Sequence, residues 1–299
     1  MFKHKIAQSR CKENTKVQDK AKSCIDQPAV SVTRGGSALV LAIPHAGIFL
    51  PDHVNAALNA RGRMLADTDW HIDRLYDGLV QDVTVVAAKF HRYVIDANRD
   101  PVGDSLYPGQ NTTALVPLTD FDGLDIWNTR PDAPEIAARR AAWHAPYHSA
   151  LAVELARVKA LHGHVILFDC HSIRSHIPFL FEGRLPDLNI GTNRGQSCAP
   201  ALQGCVEAHC AGALGYDHVL NGRFLGGWTT RHYGRPNDGV HAIQMELAQS
   251  TYMQESPSWA YDESKAARLR AVLGPMLTDL AAWQPGGSQS KTTPTRSMT

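Results

Sequence analysis

Two histidines in this chain leave apolar, strand-like runs: His45 in IPHAG follows ALVLAI, and His171 in DCHS follows HVILF. A third unusual group, Glu246, lies inside IQMELA, where an ionised carboxylate is costly unless it is paired or used. Two imidazoles, one further carboxylate and a separate buried acid are the parts of a hydrolytic metal site. Such a site has three protein ligands, an open position for water and a general base. The third ligand is expected from DTDWHIDRLYD, where Asp69, Asp73 and Asp77 recur every four residues and would share one helical face. His71 falls on another face.

Each group has an ordinary structural alternative. A histidine after a strand is commonly a hydrogen-bonded surface residue, Asp73 a solvated helix acid, and Glu246 the partner of an arginine. Their placement is what makes them candidates together, because open α/β sheets bind ligands beyond the carboxyl ends of their strands. Asn98 and Arg99 follow RYVID and Arg174 follows CHSI, so three strand ends release polar groups. No G-x-S-x-G elbow, P-loop or G-x-G-x-x-G motif is present.

The elements that would carry these groups are short apolar runs at 38–43, 83–88, 92–96, 164–169, 217–220 and 239–246. Between them lie helical patterns at 68–80, 134–161 (broken at Pro146), 199–213 and 262–283. Near-continuous apolar strands alternating with helices predict an α/β sandwich with helices on both faces. Two long loop-like segments, 98–123 and 221–239, interrupt the pattern, and loops of that length inside a compact domain usually serve a site.

The chain has 299 residues and 43% hydrophobic composition, enough for a substantial core. Residues 1–34 hold eight Lys/Arg against three Asp/Glu, leaving 22 against 26 for the remainder. This predicts a disordered basic extension, a single domain over 35–284 and a disordered tail from 285. A slightly acidic body argues against nucleic-acid binding. No run is apolar enough to span a bilayer, and no secretory h-region precedes the body, so a cytoplasmic protein is expected. The six cysteines, Cys11, Cys24, Cys170, Cys198, Cys205 and Cys210, form no C-x-x-C pair and are expected as free thiols. Oligomeric state is left open.

The blocks IPHAG, DTDWHIDRLYD, RYVIDANRDP, LYPGQNTTALVPLTDFDG, FDCHSIRSHIPFLFEGRLPDLNIGTN, NGRFLGGWTTRHYG and HAIQMELAQSTYM, in this order, resemble the N-formylglutamate amidohydrolase family over about residues 36–283. The resemblance implies a three-layer fold like that of the zinc carboxypeptidases, with a mixed, largely parallel sheet. It implies hydrolysis of N-formyl-L-glutamate to formate and L-glutamate, closing a histidine-degradation route. It also implies one divalent ion, Zn2+ by its His/His/carboxylate donors, held by His45, Asp73 and His171, with Asp69 one turn from Asp73. The compact H-x-x-E of zinc carboxypeptidases is missing, because position 48 is Ile. Glu246 takes the general-base position. The substrate's two carboxylates would suit Arg99, Arg174 and Arg231, with Asn98 and Gln110 as neutral partners. A hydrolase of another N-acyl amino acid and a non-catalytic binder of acidic amino acids remain the alternatives.

Overall fold

The runs LVLAI and VILFDC are apolar on both faces, as central strands covered by helices must be. In the computed structural model, which describes residues 28–102 and 114–286, they lie side by side. The elements run β1 (Val30–Thr33), β2 (Leu39–Ile43), α1 (Asp52–Ala57), α2 (Ile72–Tyr76), β3 (Thr84–Ala88), α3 (Ala133–Arg139), α4 (Ala145–His162), β4 (Val165–Ile173), β5 (Leu188–Gly191), α5 (Pro200–Ala211), β6 (His218–Leu220), α6 (Trp228–Tyr233), β7 (Val240–Ala248) and α7 (Glu263–Ala282).

The seven strands form one mixed sheet in the order β1-β3-β2-β4-β7-β5-β6. Strands β3, β2, β4 and β7 are parallel, whereas β1 runs antiparallel to β3 and β5 antiparallel to β7. Alternation separates two cores. Leu39, Leu41, Ile43, Ile166, Phe168 and Cys170 face α2, α5 and α7. Val40, Ala42, Val165 and Leu167 face α1 and α4, where Tyr147, Leu151, Leu155 and Val158 give the helix its buried stripe. The expected three-layer α/β architecture is thus present, with residues 169 and 171 on the α4 face and 170 and 172 on the other.

Several elements differ from expectation for identifiable reasons. Strand β1 lies within the stretch expected to be an extension, because Val30–Thr33 finds ladder partners along β3. The rest of that stretch, 1–27, and the end from 287 lie outside the described residues. RYVID is buried but forms turns, since both edges of β3 are already taken by β1 and β2. The helix expected over 68–80 shortens to one turn at 72–76, because His71 adopts a left-handed conformation at φ 61° and Gly78 another at φ 66°. The helical stretch 134–161 is interrupted by a wider π turn at Arg140–His144, and Pro146 sits in the first turn of α4, where its missing N–H costs nothing. Strand β5 is an addition that a four-residue run did not announce.

Candidate active site

The parallel strands deliver their C-terminal residues to one place. His45 follows β2, His171 is near the end of β4, and Glu246 is near the end of β7, directly across the ladder from His171. Asp69 is brought beside them by the tight turn before α2, whose backbone N–H donates to the carbonyl of His45 at 3.2 Å.

His45, Asp69 and His171 are buried, and one ligand atom from each lies within 4.8 Å of the others. The two Nδ1 atoms are 3.2 Å apart, and Asp69 Oδ2 is 3.3 Å from His171 Nδ1 and 3.8 Å from His45 Nδ1. Zinc bonds of about 2.0–2.2 Å in tetrahedral array separate neighbouring ligand atoms by roughly 3.3 Å, so these spacings fit a divalent ion. Asp69 Oδ1 is buried without a hydrogen-bond partner, 3.7 Å from Arg92 Nη2, so this carboxylate keeps acceptor capacity that a cation could use.

Both imidazoles are held by carboxylates behind them. His45 Nε2 donates to Asp96 Oδ1 at 2.7 Å, while its Nδ1 accepts from Arg92 Nη2. His171 Nε2 is 3.1 Å from Asp169 Oδ1 and 3.0 Å from the Asn98 amide. Burial works against charge on His171, but Asp169 and Asp69 outweigh it and raise its pKa well above the usual imidazole range, so a bound cation would have to displace the Nδ1 proton. With protons kept on Nε2, the Nδ1 atoms of both rings would then face Asp69 and the ion. On the other face Ser172 donates its backbone N–H to Asp69 Oδ2 at 3.0 Å, and its hydroxyl accepts from Tyr252 at 2.7 Å. Cys170 points into the apolar core.

The electrostatics are those of a cation site. Asp69 and Asp96 are buried beside the Arg92 guanidinium and Asp169 beside His171, so buried carboxylates surround the cluster and would favour a divalent ion. Burial and then Arg92 push His45 down to about 4, which keeps it a neutral ligand. Burial works against the charge of Asp69, but Arg92 and the two imidazoles outweigh it and hold the carboxyl below its usual range. Burial raises Glu246 to about 8, with Asp69 and Asp169 adding to the rise and His171 and Arg92 opposing it. A carboxyl so poised can both take and return a proton near neutrality. Glu246 Oε2 accepts from Gln244 Nε2 at 3.0 Å, and Gln244 Oε1 accepts from the Gly227 N–H at 2.6 Å.

The pocket above this cluster is lined by His45, His171 and Glu246, by Arg92, Arg99 and Arg223, and by Asn98 and Gly227. Of the residues expected from sequence, His45, His171, Glu246, Asn98 and Arg99 come together. Asp73 does not: its Oδ1 accepts the neighbouring Arg74 N–H, on an exposed part of α2, and Asp69 takes its place. Arg174 is turned to Asp122, at 2.9 Å, and Arg231 donates to the Gly226 carbonyl at 2.8 Å; neither lines the pocket. Gln110 lies outside the described residues. Sequence reasoning missed Arg92, Asp96, Arg223 and Gln244. For Arg92 and Asp96 the signal was present, since charged residues bracketing an apolar Tyr-Val-Ile carry the same implication as Glu246 does in its strand.

The N-formylglutamate amidohydrolase family model matches residues 37–253. An N-formylglutamate deformylase of Pseudomonas aeruginosa is 49% identical over 257 residues, covering 85% of this chain and 96% of the relative. A second N-formylglutamate deformylase, of Pseudomonas putida, is 46% identical with the same coverage of both chains. The crystal structure of an N-formylglutamate amidohydrolase from Ralstonia eutropha JMP134 superposes with a TM-score of 0.72 at 25% identity, covering 86% of this chain and 98% of that one. With its family motifs spread along the sheet that builds the His45–Asp69–His171 cluster, the chain belongs to the N-formylglutamate amidohydrolase family and is an enzyme.

Proposed function

We propose that the protein hydrolyses N-formyl-L-glutamate to formate and L-glutamate, that the reaction depends on a divalent ion, most suitably Zn2+, and that it closes a histidine-degradation route in the cytoplasm. The observation that carries the chemistry is the pairing of Glu246 with His171 across adjacent parallel strands, beside His45 and Asp69. The names of the two Pseudomonas relatives support the substrate.

Bound by His45, Asp69 and His171, a zinc ion would supply Lewis acidity, lowering the pKa of water and polarising the formyl oxygen. Glu246 takes the proton of the attacking water and returns it to the departing amine, a poor leaving group until it is protonated. Arg92, buried among Asp96, Asp69, Asp67 and Glu246, would donate to the oxygen on which charge develops. Asp96 and Asp169 keep the imidazoles in register.

Arg99 and Arg223 line the mouth of the pocket and provide guanidinium groups for the two carboxylates of the glutamate part. Asn98 serves between them: its Oδ1 accepts from the Thr229 N–H at 2.8 Å, fixing the amide that faces His171. Formate release from N-formyl-L-glutamate by zinc-loaded protein, compared with cleavage of N-acetyl- and N-succinylglutamate, tests the proposal. Faster turnover of a larger acyl group would overturn the substrate, and activity unaffected by exhaustive chelation would overturn the metal.

A further inference from the structure

A second group of metal-ligating side chains lies on the other layer of the sandwich, between α5 and α7. Cys205 and His209 are one helical turn apart on α5 and so project from the same face. Asp279 reaches them from α7, with its Oδ2 2.8 Å from His209 Nε2. One ligand atom from each of the three lies within 4.8 Å of the others. None of these residues lines the active-site pocket.

We propose that Cys205, His209 and Asp279 form a peripheral binding site for a borderline transition-metal ion, Zn2+ or Co2+, that clamps α5 to α7. A thiolate, an imidazole and a carboxylate are the donor types that such ions take, whereas Mg2+ and Ca2+ ask for oxygen alone. The three donors come from two helices that already pack together, so the ion has to organise side chains and not backbone. Asp279 is 61% exposed on its side chain, so the ion has a route in and a water can complete a fourth position. A groove lined by Ala208, Gly212, Ala213 and Val272 opens beside His209, and these small side chains do not block that route.

The active-site cluster contains no sulfur, so a thiolate-to-metal charge-transfer band in the near ultraviolet reports this second site by itself. Titration with Co2+ of the full-length, reduced protein already carrying one equivalent of Zn2+ in the active site is expected to give that band, saturating at one further equivalent. Cys205→Ser should abolish it, and His209→Ala and Asp279→Asn should each weaken the binding by roughly tenfold or more. All three variants should retain the wild-type rate of formate release, because none touches the pocket. Absence of the band in wild-type protein would overturn the proposal. So would a band that survives in Cys205→Ser, since the thiolate would then lie elsewhere in the chain. Far-ultraviolet circular dichroism of the Ser variant confirms that a lost band is not a lost fold. Failure of the deformylase reading would leave this test unchanged.

Discussion

The backbone N–H of Asp69 donates to the carbonyl of His45, so one candidate metal ligand is tied to another through the main chain as well as through their side chains. That bond fixes which acid of DTDWHIDRLYD reaches the cluster. Asp69→Asn is expected to lose one equivalent of zinc relative to wild type together with activity, while Asp73→Asn keeps both. Metal analysis by mass spectrometry on dialysed protein decides it, and zinc lost from the Asp73 variant alone would restore the sequence expectation.

Glu246 should act on protons and not on metal retention. Glu246→Gln is expected to lower kcat by about 10²–10⁴-fold while zinc content and the melting temperature stay near wild type. A Gln variant releasing formate at the wild-type rate would remove Glu246 from the mechanism.

Arginine placement separates two pairs. Losing a charge-assisted hydrogen bond costs about 1.5–3 kcal/mol, so Arg99→Ala and Arg223→Ala should each raise KM roughly tenfold to a hundredfold. Arg174→Ala and Arg231→Ala, whose partners are Asp122 and the Gly226 carbonyl, should shift KM far less. Steady-state kinetics of the four variants against one substrate series gives the comparison.

Gly227 lies against the Asn98 side chain so closely that an added Cβ would fall 2.3 Å from its amide nitrogen. Gly227→Ala must therefore displace Asn98 or α6, at a cost of about 1–3 kcal/mol in stability. The expected result is a lower melting temperature with a raised KM. A variant unchanged in both would show that Asn98 is not held by this contact.

His148 lies beneath the same segment, its Nε2–H donating to the Ala97 carbonyl at 2.7 Å. Burial, with His144 beside it, lowers its pKa to about 3. The unfolded chain takes up this proton near pH 6.5 and the folded protein does not, so stability falls as pH drops from about 6.5 towards 3. His148→Gln can keep a donor to Ala97 and should flatten this part of the acid limb in urea titrations run from pH 7 to pH 4. An unchanged slope would assign the acid sensitivity to other groups.

Much of this arrangement could be read from residue order. Runs such as LVLAI and VILFDC announce central strands because burial on both faces demands continuous apolar character. His45, His171 and Glu246 stand out because polar groups at such positions are expensive. What could not be read was set by backbone geometry far from any pattern. Helical periodicity placed Asp69 and Asp73 on one face, but the left-handed turn at His71 separates them. Arg223 and Arg174 are alike as sequence symbols. Only the tertiary fold shows that Arg174 is turned to Asp122 while Arg223 lines the pocket.

The register of β4 against β7 sets His171 opposite Glu246, and a one-residue slip would turn every side chain of a strand to the opposite face of the sheet. The proposed ligand and the proposed base are therefore held as one pair on adjacent strands, with no hinge between them. Variation in what the enzyme accepts has to be written elsewhere, in the chain that carries Arg99 and in the segment 221–239 that carries Arg223 and Gly227. On the proposed reading the fold divides into a fixed reacting half and an editable recognising half, and exchanging the second for that of a relative would alter what is accepted while leaving the first as it stands.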